Sequence, residues 1–125
     1  APFLLIRVAL PYLKATGAGR VFNIASTDAK RYRPGTSVGY SMTKHALLAM
    51  TQAVRHAGWG EGVRATALCP GAIDTDLIAN LPGVTPKVDR LTPETVAEMV
   101  AFILALSNQA SVPEFIVNTR LETLI

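Results

Sequence analysis

"RVFNIASTDAKRYRPGTSVGYSMTKHALLAMTQAVRHAGWGEGVRATALCPG", residues 20–71, sets two short apolar runs on either side of one long helical pattern. "RVFNIAS" is rich in strand formers, and "VRATALCPG" is a second strand stopped by Pro70 and Gly71. Between them "TDAKRYRPGTS" is polar and contains Pro and Gly, which reads as a loop. From 39 to 57, Ala46, Leu47, Met50, Ala53, Val54 and Ala57 recur at spacings of three and four, predicting an amphipathic helix that "GWGEG" closes. A strand, a helix and a second strand of these lengths imply parallel pairing through a crossover.

The flanks extend the alternation. "APFLLIRVALPYLK" predicts a helix to about Ala15, interrupted by Pro11 and ended by the glycines of "TGAG". After Gly71, "AIDTDLIANLPGVTPKVDR" has no sustained period, and one short helix is expected near 76 to 80. Irregular stretches of this length in compact domains are often functional. "TPETVAEMVAFILAL" predicts a helix by local rules: Thr92 caps it, Pro93 suits the first helical position and Glu94 favours the positive end. "EFIVN" is a last strand. The whole is an α/β layered architecture of three strands and three main helices.

With 125 residues, 50% hydrophobic and 17% charged, the chain holds one globular domain at most. The net charge of +3 comes from Lys and Arg scattered without interleaved aromatics, so nucleic-acid binding is not expected. The single cysteine, Cys69, permits no internal disulfide and lies in an apolar run, which makes a reducing cytoplasm the default compartment. No uninterrupted apolar stretch approaches the roughly 18 residues of a membrane span. The opening has no initiator Met and no capping residue, which predicts a segment cut from a longer protein.

Ligands of parallel α/β sheets collect outside the carboxyl ends of the strands. Ser26 ends the first strand there, Pro70-Gly71 ends the second, and Tyr40 opens the helix leaving the same edge. Tyr40 and Lys44, four apart, are neighbours on one helix face, so phenol and ammonium can act on one bound molecule. The alternative is a tyrosine at a rim with a snorkelling lysine beside it.

Ordered in this way, "NIAS" with Ser26, "YSMTK" with Tyr40 and Lys44, and "CPGAIDT" with Pro70, Gly71 and Thr75 resemble the classical short-chain dehydrogenases/reductases. The interval from Ser26 to Tyr40, 40 − 26 = 14, is one longer than most usual in that family. The resemblance implies a Rossmann-like doubly wound parallel sheet. It also implies an NAD- or NADP-dependent oxidoreductase interconverting a small carbonyl compound and an alcohol, with no metal. By that resemblance Tyr40 is the general acid/base, Lys44 lowers its pKa and holds the nicotinamide ribose, and Ser26 orients the substrate oxygen. Pro70, Gly71, the backbone at Ile73 and the Thr75 hydroxyl would meet the cofactor, and Thr27 and Asp28 would line the substrate pocket.

The chemistry is also arguable from the residues. Reduction of a ketone needs a proton for the developing alkoxide, and oxidation of the alcohol needs a base to remove it. Bringing a phenol from a pKa near 10 to about 7 takes roughly 4 kcal/mol. An ammonium about 4 Å away supplies on the order of 1 kcal/mol in bulk water but about 4 at an effective dielectric near 20. The pair therefore works only where water is largely excluded.

Other residues carry plainer expectations. His45, about 100° round the helix from Lys44, should face solvent or a neighbouring chain, and His56 suits a helix end. "KRYR", 30 to 33, reads as a solvated loop, with selection of an anionic substrate as the sharper alternative. Asp74 and Asp76 suit turn hydrogen bonding, and Trp59 a lid on the core.

The sequence departs from the family pattern in lacking its Gly-rich pyrophosphate turn, its Asn-Ala-Gly stretch and an Asp-Gly-Gly closure after the last strand. Residues 1–125 are accordingly expected to be the carboxyl-terminal half of a single domain whose nucleotide-binding half is absent, and to be inactive alone. In such a half the three strands are consecutive and the first exposes a bare edge. A homo-dimer or tetramer is the expected assembly; the missing closure affects the family's commonest tetramer contact and leaves a dimer through the long helices. The competing function is a non-catalytic pairing module using that edge. An extended-branch enzyme such as a sugar-nucleotide epimerase shares Tyr-x-x-x-Lys but fits the Pro-Gly-x-x-x-Thr segment less well.

Overall fold

The computed structural model describes residues 1–121, in the order α1 (Pro2–Ala15), β1 (Arg20–Ile24), α2 (Val38–Gly58), β2 (Arg64–Pro70), α3 (Pro93–Ala105) and β3 (Glu114–Val117). Short 3₁₀ turns occupy Thr27–Ala29 and Lys87–Asp89. The strands form one parallel sheet in the order β1-β2-β3, with Ile24 opposite Leu68 and Leu68 opposite Phe115. This is the parallel α/β architecture that the alternation predicts and the Rossmann-like sheet that the resemblance implies. Among the described residues no helix is long and apolar enough to cross a membrane.

The core lies between the sheet and the two longer helices. One buried cluster joins Val21, Val54, Val63 and Ala65, against which Ile6, Leu10 and Leu13 of α1 pack. A second joins Ala25, Ala29, Ala67 and Cys69, covered by Leu47 and Leu48 of α2. The sheet residues here are small, so α2 approaches closely, and its buried positions are Ser41, Thr51, Val54 and Gly58. Of the predicted apolar stripe, Val54 is buried, while Ala46, Ala53 and Ala57 remain exposed. Burial here follows position on the helix rather than apolarity, and Thr51 and Asn23 satisfy each other within it. The Thr51 hydroxyl donates to the Leu47 carbonyl at 2.7 Å and accepts from the Asn23 amide at 2.9 Å.

Two further expectations are corrected. α1 runs unbroken through Pro11, whose missing N–H removes the bond to the Arg7 carbonyl on an exposed part of the helix. Residues 76–80 form no helix but successive turns, with Ile78 N–H to Thr75, Ala79 N–H to Asp76 and Leu81 N–H to Ile78. Pro82 leaves too few residues there to nucleate a helix. α3 begins as its sequence dictates, with the Thr92 hydroxyl accepting the Thr95 N–H at 3.1 Å.

β1 pairs with β2 and with no other strand among the described residues. The Arg64 N–H bonds the Gly19 carbonyl and the Ala25 N–H bonds the Leu68 carbonyl. Odd-numbered residues of β1 thus turn their backbone groups to β2, and even-numbered ones turn theirs to the open edge.

Candidate active site

Ser26 closes β1. The Ala25 N–H still reaches the Leu68 carbonyl at 2.7 Å, after which the chain turns, and the Ser26 Oγ accepts the Asp28 N–H at 3.1 Å. The hydroxyl caps the 3₁₀ turn and is buried. Because it accepts from an amide, its own proton remains available to a ligand.

Ser37 caps α2, its Oγ accepting the Tyr40 N–H at 3.4 Å, which places Tyr40 in the first helical turn. One turn on, the Lys44 ammonium lies 5.5 Å from the Tyr40 ring centroid and donates to the Ile24 carbonyl at 2.9 Å. Ile24 is even-numbered, so Lys44 caps a carbonyl on the open edge, two residues before Ser26. Lys44 is thus tied to the strand end and does not snorkel. Desolvation by burial pushes its pKa below the ordinary lysine value.

The sign of that shift gives a stability prediction. Between Lys44's lowered pKa and the ordinary 10.5, the unfolded chain binds more protons than the folded one, so the burial penalty is relieved as pH rises through this window. Denaturant unfolding of wild type and Lys44→Met at pH 7 and pH 10 should show wild type gaining on the variant at the higher pH. A difference that stays constant would mean Lys44 is not desolvated.

Cys69 is buried, and burial pushes its thiol up, with the Glu114 charge adding to the effect. The thiol therefore stays protonated and unreactive. Beyond it, Pro70 is buried and the Gly71 N–H bonds the Val117 carbonyl at 2.8 Å. A Cβ at Gly71 would lie 2.9 Å from the Thr119 hydroxyl, so the close approach of these segments requires glycine. Ile73 bridges Leu91 in parallel, with Asp74 N–H to Leu91 O at 2.8 Å and Leu91 N–H to Ala72 O at 2.9 Å. That pattern points the N–H and carbonyl of Ile73 away from Leu91. Thr75 is exposed beside it.

The loop from 27 to 37 is not the solvated stretch its charges suggest. The Arg31 guanidinium, with 8% of its side chain exposed, pairs with the Asp28 carboxylate. Arg33 stands 3.8 Å from the same carboxylate, and the Thr36 hydroxyl donates to it at 3.3 Å. Lys30 pairs with Glu114 of β3 at 2.6 Å. Thr27 and Asp28 are both buried. Sequence reading missed Ser41, whose hydroxyl donates to the Asp28 carbonyl at 2.9 Å, because a serine inside a helical run carries no apolar signal.

Elsewhere, His45 is exposed as expected, yet its Nδ1 is held 2.9 Å from the Ser41 carbonyl. His56 is exposed in the last turn of α2. Asp74 makes ion pairs with Arg90 at 3.3 Å and Lys87 at 3.4 Å in place of turn bonds. Trp59 is no lid: it is 47% exposed, with the Arg64 guanidinium 3.9 Å from its ring centroid. An open groove of about 550 Å³ lined by Tyr32, Val38, Ser41, Met42 and His45 adjoins the start of α2. Among the described residues no group of three or more His, Cys, Asp or Glu could hold a metal ion.

The comparisons with known proteins bear on this arrangement. The sequence model of the short chain dehydrogenase family matches residues 1–83, which include the Ser26 turn, the Tyr40–Lys44 helix and Pro70-Gly71. The chain belongs to the short-chain dehydrogenase family. It is similar to agropine synthesis reductase of Rhizobium rhizogenes, 40% identical over 113 residues that cover 90% of this chain and 26% of that protein. It is 33% identical over 104 residues to the uncharacterized oxidoreductase YxjF of Bacillus subtilis, covering 83% of this chain and 40% of the relative. A solved structure of a short chain dehydrogenase/reductase family protein superposes with a TM-score of 0.80 at 27% identity, over 94% of this chain and 52% of the other. The chain thus spans between a quarter and about half of the length of these family members.

Proposed function

We propose that the full-length protein to which this chain contributes acts as an NAD- or NADP-dependent oxidoreductase interconverting a small ketone or aldehyde and an alcohol. The observation that carries this reading is the placement of Lys44. Its ammonium is held by the Ile24 carbonyl at the strand end carrying Ser26, 5.5 Å from the Tyr40 ring centroid. Tyr40 gives its phenolic proton to the substrate oxygen in reduction and takes it back in oxidation. Lys44 stabilises the phenolate through its charge in a partly desolvated setting. Ser26 donates its free hydroxyl proton to the same oxygen, and Thr27 and Asp28 form the wall beside it.

The residues present fit a dinucleotide's nicotinamide end. Lys44 uses one of its three donors on Ile24 and retains two for ribose hydroxyls. Ile73, whose backbone donor and acceptor point away from Leu91, would meet the carboxamide, together with Pro70, Gly71 and the Thr75 hydroxyl. When bound, the nicotinamide supplies or accepts the hydride. The test is oxidation of NADH and NADPH by the full-length protein with 2,3-butanedione, ethyl acetoacetate, acetoacetyl-CoA and benzaldehyde, turnover of at least one being the expected result. Turnover with none of them, together with no nucleotide affinity and a stable oligomer, would favour the pairing module.

A homo-oligomer, a dimer or tetramer, forms part of the same reading. It is supported by Phe3, Leu5, Val8 and Tyr12 of α1, all more than 60% exposed. The paired substitution Leu5→Arg with Val8→Glu should lower the molar mass seen by light scattering. An unchanged mass would remove α1 from the interface.

A further inference from the structure

We propose that Ser41 is a positioning residue that fixes the Ser26 hydroxyl relative to Tyr40 through the backbone of Asp28; this rests on the oxidoreductase reading. Ser41 is 4% exposed and follows Tyr40 directly. Its hydroxyl donates to the Asp28 carbonyl at 2.9 Å, and the N–H of that residue donates to the Ser26 Oγ at 3.1 Å. A single residue therefore couples the turn carrying Ser26 to the helix carrying Tyr40, with two hydrogen bonds setting their spacing.

The surroundings hold this coupling in one state. The Asp28 carboxylate is fixed by Arg31, by Arg33 at 3.8 Å and by the Thr36 hydroxyl at 3.3 Å, so its peptide units have little freedom to rotate. The His45 Nδ1 is 3.4 Å from the Ser41 hydroxyl but 2.9 Å from the Ser41 carbonyl. With Nδ1 protonated it serves the carbonyl, leaving the Ser41 hydroxyl proton to Asp28. Because the Asp28 N–H occupies a lone pair of the Ser26 Oγ, that oxygen is held in place while its proton stays free for a ligand. Without Ser41 the Asp28 carbonyl would lose its buried donor, the peptide would reorient, and Ser26 would lose its direction while Lys44 kept its own anchor on Ile24.

The test is a double-mutant cycle in the full chain, with the carbonyl compound from the panel above that turns over fastest. Ser41→Ala should lower kcat tenfold or more, leave the NADPH or NADH dissociation constant within threefold, and cost less than twofold in a Ser26→Ala background. Ser41→Thr, which retains the hydroxyl, should stay within threefold of wild type in kcat. If Ser41→Ala does not fold, Ser41→Cys keeps the volume and weakens the donor, with the same outcomes expected. If Ser26→Ala has no measurable turnover, the Ala and Thr variants decide by the presence or absence of rescue. An undiminished tenfold cost without Ser26, or equal loss in Ser41→Ala and Ser41→Thr, would overturn the proposal. Retained turnover in Tyr40→Phe would instead overturn the oxidoreductase reading, whatever the cycle gives.

Discussion

Turnover by Tyr40→Phe is expected to fall 10²- to 10⁴-fold, the range a positioned proton donor contributes, or about 3 to 5.5 kcal/mol of barrier. The variant loses one oxygen from a ring that is 39% exposed, so stability should stay close to wild type. Lys44 keeps its bond to the Ile24 carbonyl and its place beside the ring, so affinity for NADH or NADPH should change by no more than a few fold. The loss would then sit in kcat, as required of a group needed only when charge develops on the substrate oxygen. Retained turnover would refute the assignment of Tyr40 and with it the proposed chemistry. Loss of cofactor affinity in parallel with kcat would instead assign the phenol to binding.

Gly62→Ala should be the most destabilising change of a single methyl group outside the core. Gly62 has φ +78, a left-handed conformation that costs other residues about 1 to 2 kcal/mol. A Cβ there would also overlap the Gly17 carbonyl oxygen, where the turn between α1 and β1 abuts the turn between α2 and β2. Backbone cannot yield as a flexible side chain does, so the total should reach at least about 3 kcal/mol. For a domain of this size that is a fall in Tm of about 10 °C or more. Gly17→Ala is the control: it shares a positive φ, +68, but meets nothing within 4 Å, and should cost only the conformational strain. Equal losses in the two variants would show that the close approach contributes nothing.

How far the sequence discloses this molecule depends on whether the signal is local. α3 is legible because Thr92, Pro93 and Glu94 act within one turn of each other. The strands are legible because β1 and β2 are short apolar runs bounded by turn residues, and their alternation with helices dictates parallel pairing. The order of Ser26, Tyr40, Lys44 and Pro70-Gly71 along one sheet edge follows from that topology. The face α2 buries is legible only in part. Hydrophobic periodicity finds Leu47 and Val54, which pack on the core, but it also picks out the exposed Ala46, Ala53 and Ala57 and misses the buried Ser41, Thr51 and Gly58. The charged loop misleads because its ion pairs bury it: Arg31 pairs with Asp28 three residues before it, and Lys30 finds a carboxylate 84 residues away that no local spacing announces.

The stack of Arg64 on Trp59 also equips the protein with an optical reporter. Trp59 is the one tryptophan in the sequence, so all tryptophan emission comes from this site. Its ring lies against a guanidinium at 3.9 Å, and separation of α2 from β2 would remove that neighbour. Nineteen residues separate it from Tyr40, about 28 Å along a helix at 1.5 Å per residue. Emission at this end should therefore register unfolding while remaining nearly silent to changes at the strand edge. It offers an internal standard by which a variant that has lost its chemistry is told from one that has lost its shape.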